Sequence, residues 1–98
     1  MMEKNEYTVN NNETEQRLEI RGENELAYLE YRHHKEDIAL MHTFVPDVLE
    51  GKGVASSLAH YALEWAREKG KRVMVYCPFV AAYLKRHPEY NDIVDKIH

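Results

Sequence analysis

The chain has 98 residues, 44% of them hydrophobic and 31% charged, the balance expected of one soluble globular domain over residues 1–98. Thirteen Lys and Arg against seventeen Asp and Glu give a net charge of −4, which argues against nucleic acid as a partner but leaves room for a local basic site for one small anion. The lone Cys77 excludes an intramolecular disulfide framework and, with a polar Met1–Asn12 lacking a secretory h-region and no apolar run near the roughly 20 residues that span a bilayer, places the chain in the cytoplasm.

Residues 1–12 read as a lead-in or a weak edge strand. From Gln16 the pattern alternates, with Leu18 and Ile20 on one side and Arg17 and Glu19 on the other. Gly22-Glu23-Asn24 supplies turn chemistry, Leu26–Tyr31 reads as a second strand, and His33–Asp37 as a second polar turn. In the next strand Ile38, Leu40, His42 and Phe44 share one face, and Ala39, Met41, Thr43 and Val45 the other. Both faces are largely apolar, as in a strand covered on both sides. Three strands joined by short polar turns predict an antiparallel meander.

After Pro46-Asp47 the period changes. Val54, Leu58, Ala62 and Trp65 recur at helical steps, and Gly70 is placed to end that helix in the left-handed conformation. Arg72–Tyr76 reads as a short buried strand closed by Pro78, and Phe79–Arg86 as a short helix broken by His87-Pro88. Tyr90, Ile93, Val94 and Ile97 stand at i, i+3, i+4 and i+7, which predicts a last amphipathic helical turn or two. The fold class is mixed α/β: an antiparallel meander followed by a right-handed β-α-β crossover with parallel strands.

Between the meander and the long helix lies Glu50-Gly51-Lys52-Gly53-Val54-Ala55. Glycine admits positive φ and a close backbone approach, successive N–H groups can form an anion nest, and the helix adds unpaired N–H groups and its positive end. Taken alone, Gly-x-Gly is equally an ordinary turn. It is not a Walker loop, since Lys52 is followed by Gly53, and it does not sit in the parallel unit that a dinucleotide fingerprint requires.

The order of strand, Val-x-Pro, glycine loop and helix resembles the GNAT acetyltransferase superfamily. Within it, the chain is similar to the very small single-domain members, through His42-Thr43-Phe44-Val45-Pro46, Gly51-Lys52-Gly53, Cys77-Pro78-Phe79-Val80, Tyr83 and His87-Pro88-Glu89-Tyr90. The resemblance runs from about Leu26 to the C-terminus. It implies a GNAT-type mixed sheet that binds acetyl-CoA, with Gly51, Lys52, Gly53, Val54 and Ala55 at the diphosphate and the backbone of Thr43, Phe44 and Val45 along pantetheine. Glu50 stands where the superfamily has Gln or Arg, and a carboxylate there repels a diphosphate unless it turns away. Nothing corresponds to the paired helices that larger members place after their first strand.

Under the same resemblance Cys77 and His42 are candidates for a nucleophile and base pair, and Tyr83 for the acid that protonates the leaving thiolate. Lys85 and Arg86, beside His87, could meet the adenosine 3′-phosphate. Each has a plainer reading: Cys77 as a small core residue, His42 as a packed strand histidine, Tyr83 as helix packing, and the basic cluster as a solvated face. No His or Cys spacing suggests a metal site. The expected function is N-acetyl transfer from acetyl-CoA to an unidentified amine. The alternative is a non-catalytic CoA-binding or protein-interaction domain of the same fold.

Overall fold

Alternation of apolar and polar residues builds the first half of the chain as a meander. In the computed structural model, which describes residues 7–98, four strands run antiparallel in sequence order: β1 (Asn10–Asn12), β2 (Arg17–Arg21), β3 (Leu26–His34) and β4 (Asp37–Phe44). The short edge strand is the part of the expected lead-in that is described; Met1–Glu6 lie outside the described residues. Gly22 and its neighbours turn β2 into β3 as expected. The second turn is tighter than expected: β3 continues through His33 and His34, leaving Lys35-Glu36 to reverse the chain with Lys35 at φ 55°.

The second half is helical and parallel. Helix α1 (Val54–Glu68) leads to β5 (Arg72–Val75), and α2 (Pro78–Arg86) leads through a 3-10 turn (Pro88–Ile93) to β6 (Val94–Ile97). β5 pairs parallel with β4 and β6 parallel with β5, so the six strands lie in sequence order. α1 and α2 contribute to one core, as two β-α-β crossovers of the usual right hand taken in the same direction require. There Leu18, Leu29, Tyr31, Leu40, Val73 and Val75 pack with Val54, Leu58, Ala62 and Leu63 of α1 and Val80 and Leu84 of α2. α1 ends as expected. Gly70 adopts φ 69°, its N–H reaches the Arg67 carbonyl, and the Lys71 N–H reaches Ala66, the hydrogen bonds of a Schellman motif.

Two expectations are corrected. The C-terminal amphipathic helix does not form: Tyr90 and Ile93 fall in the 3-10 turn, while Val94 and Ile97 belong to β6. An eight-residue window satisfies a helical and an extended period alike, and pairing with β5 decides between them. The second correction concerns β4. Glu30 faces His42 but Tyr31 faces Leu40, so Met41 is an extra residue, a bulge. Beyond it the side chains change sides. Thr43 now pairs with Leu29 on the helix-covered face, whereas His42 and Phe44 share the other face with Tyr28, at ring-centroid distances of 6.3 and 5.7 Å. That face is uncovered here, and Phe44 is 45% exposed.

Candidate functional site

β4 and β5 pair only over Asp37–Leu40 and Arg72–Val75. Past that point the Leu40 carbonyl accepts the N–H groups of both Tyr76 and Cys77, and the two chains part. Pro78, with no N–H to give, opens α2 at its first turn, and Cys77 becomes the residue that caps it. β4 continues alone on this side through Thr43 to Val45 and then turns through Pro46 and a 3-10 turn at Asp47–Leu49 into the glycine loop. The parting of the strands, the loop and the start of α1 enclose a groove of about 460 Å³.

Thr43, Val45, Glu50, Gly51, Gly53, Val54 and Ala55, all anticipated, line this groove; so do Leu49, Ser56 and Phe79, which were not among the expected contacts. Phe79 was within reach of sequence reasoning, since it belongs to the Cys-Pro-Phe-Val segment. Gly51 and Gly53 stand at φ 76° and 79°, and a Cβ at either would meet nothing within 4 Å. They therefore present bare backbone to open space. Among the described residues no side chain caps α1 at Gly53, and the first-turn residues Val54, Ala55 and Ser56 line the same groove. The donors, the helix terminus and the space suit a bound phosphate group, and the apolar wall of Val45, Leu49 and Phe79 suits a thin flexible chain.

The remaining candidates are distributed around this centre. Cys77 is buried, and its Sγ lies 3.1 Å from Thr43 Oγ1, a groove residue. The bulge puts His42 on the opposite face of the sheet, so the structure joins Cys77 to Thr43 and does not bring it together with His42. Phe44, on the same uncovered face, is not among the residues that line the groove. Lys52 is exposed; its carbonyl accepts a hydrogen bond from Tyr7 at 2.8 Å. Tyr83 is buried one helical turn beyond Phe79 and stacked on His87 with ring centroids 4.0 Å apart. Burial, then the Glu89 carboxylate, push its phenol above the ordinary value, so it stays protonated at neutral pH. Lys85 and Arg86 occupy the exposed last turn of α2, away from the residues lining the groove. Among the described residues no group of His, Cys, Asp or Glu side chains is arranged to hold a metal ion, and no helix is long and apolar enough to cross a membrane.

The model of the family described as GCN5-related N-acetyl-transferase matches residues 15–93, from β2 through the 3-10 turn that precedes β6. The chain belongs to the GCN5-related N-acetyltransferase family. Among solved structures, a GCN5-like candidate N-acetyltransferase from Staphylococcus aureus superimposes with a TM-score of 0.72 at 28% identity, covering 94% of this chain and 91% of that one. Among curated sequences, Protein NATD1 of Xenopus tropicalis is 31% identical over 72 residues, 72% of this chain and 66% of the relative; Protein NATD1 of Bos taurus is 33% identical over 72 residues, 72% and 64%. The chain thus spans just under two thirds of the length of these relatives.

Proposed function

We propose that the chain binds acetyl-CoA in the groove and transfers its acetyl group to an amine by way of Cys77. The observation that carries the reading is the convergence of three features on one groove. Gly51, Gly53 and the first turn of α1, apolar Val45 and Phe79, and Thr43 line one groove, and Thr43 Oγ1 lies 3.1 Å from Cys77 Sγ beside the point where β4 and β5 part. A diphosphate at Gly51–Ala55 directs pantetheine between the strands, along the backbone of Thr43, Phe44 and Val45, and delivers the thioester to Cys77. Lys52, exposed between the two glycines, offers a cationic partner for the phosphates, whereas Lys85 and Arg86, in the last turn of α2, lie apart from the groove lining.

In the first step Cys77 Sγ forms a bond to the acetyl carbon as the bond from that carbon to the CoA sulfur breaks, and the thiol proton ends on the CoA thiolate. Tyr83, on α2 and kept protonated by burial, is the proposed relay for that proton. In the second step the amine nitrogen displaces Cys77 and its proton returns to sulfur. The competing reading is a CoA-binding module without turnover, and the near-complete burial of Cys77, 2% exposed, favours it.

Calorimetric titration with acetyl-CoA and CoA tests the first claim, and failure to bind either removes both readings. Incubation with acetyl-CoA alone should add one acetyl group to the peptide that contains Cys77, and Cys77→Ser should abolish this while retaining CoA affinity. Binding without acetylation in the absence of acceptor, together with turnover retained by Cys77→Ser, would establish direct attack by the amine. Binding with no turnover on any amine would leave the non-catalytic module.

A further inference from the structure

The loop between Gly51 and Gly53 has a conformational problem of its own. The Lys52–Gly53 peptide plane can turn over at little cost, because the flip changes ψ of Lys52 and φ of Gly53, and glycine accepts positive and negative φ alike. An anion nest needs one orientation: N–H groups inward and carbonyls outward. The bond that makes this choice comes from a residue 45 positions away. Tyr7 donates its hydroxyl to the Lys52 carbonyl at 2.8 Å, while its ring packs against the edge of the core. The described residues contain no cis peptide. Across a trans peptide the Lys52 carbonyl and the Gly53 N–H point in opposite directions. Gly51 and Gly53 line the groove whereas Lys52 does not, so a carbonyl held outward by Tyr7 turns the Gly53 N–H toward the groove. Tyr7 is held in turn by the chain that follows it: Val9 packs against the core, and β1 pairs with β2.

We infer that Tyr7 is a positioning residue for the anion loop: its hydroxyl fixes the Lys52–Gly53 peptide in the orientation that offers an N–H to a diphosphate. The inference rests on the reading of the groove as a CoA site. It assigns the N-terminal segment a part in ligand recognition, although Tyr7 need not touch the ligand.

The test compares native protein with Tyr7→Phe, which keeps the ring and removes only the hydroxyl, by NMR titration with CoA and with S-acetylpantetheine, which lacks the diphosphate. Loss of one hydrogen bond that orders the loop should weaken CoA about three- to ten-fold. S-acetylpantetheine affinity and the melting temperature should stay at the native values, and the CoA-induced shift of the Gly53 amide should shrink. Tyr7→Ala, which also removes the packed ring, should weaken CoA further. Equal CoA affinity in native protein and Tyr7→Phe overturns the inference. So does an equal loss for both ligands, which would make Tyr7 a general support of the fold. If native protein binds no CoA at all, the reading of the groove fails instead, and the two failures are distinguishable.

Discussion

Replacing Gly53 separates the backbone requirement of the fold from that of the ligand. Gly53 is the residue before α1, at φ 79° and ψ 12°, and a Cβ there meets nothing within 4 Å. Gly53→Ala therefore introduces no clash in the free protein, and its cost is the left-handed backbone alone, roughly 1–2 kcal/mol. For a domain of this size that lowers the melting temperature by about 4–16 °C, a loss that a fold with about 5–15 kcal/mol of stability survives. The same Cβ projects into the space where a diphosphate would approach. Losing even one charge-assisted hydrogen bond at about 1.5–3 kcal/mol weakens binding about tenfold or more. Gly53→Asn provides the control, because Asn tolerates the left-handed region while still filling the space. The expected pattern is a clear stability loss for Ala, a smaller one for Asn, and a similar, large loss of CoA affinity for both, measured by thermal melts and calorimetry. Folded variants that bind CoA as tightly as native protein would refute the assignment of the loop.

Glu50→Gln removes the exposed carboxylate that lines the groove, so CoA affinity should rise by about 1 kcal/mol or less, given solvent screening; calorimetry showing weaker binding would make Glu50 a positive part of the site. At the other end of α1 the buried Tyr90 hydroxyl donates to Glu64 and lies 3.3 Å from His60 Nδ1. Tyr90→Phe should cost about 1–2 kcal/mol in denaturant melts and leave CoA binding unchanged. Burial, followed by the bond to Glu64, raises the Tyr90 phenol well above its ordinary value. Its contribution is therefore fully present below the unfolded tyrosine value near pH 10 and is lost as pH rises through the higher folded value. Stability measured across that alkaline range should fall more steeply for native protein than for Tyr90→Phe.

Much of this site is local and was legible without coordinates. Strand period through Leu18, Ile20 and Leu29, helical period through Val54, Leu58, Ala62 and Trp65, and the stop at Gly70 are all written in neighbouring residues, because backbone sterics and amphipathicity act over a few positions. The glycines at 51 and 53 belong to the same class, since positive φ is a property of the residue itself. Three features depended on partners distant in the chain. β6 exists because Val94–Ile97 finds the free edge of β5, although its spacing suits a helix equally well. The direction of His42 was misread because one extra residue, Met41, opposite β3 inverts everything after it, and a strand apolar on both sides carries no mark of such a slip. Tyr7 looked like part of an unremarkable polar lead-in. Only folding brings its hydroxyl to the Lys52 carbonyl, and no periodicity or composition encodes a single hydrogen bond between residues 45 apart. The sequence by itself determined the elements and the glycine loop; the tertiary structure decided which side chains meet around them, because pairing register and long-range contacts are properties of the assembled sheet.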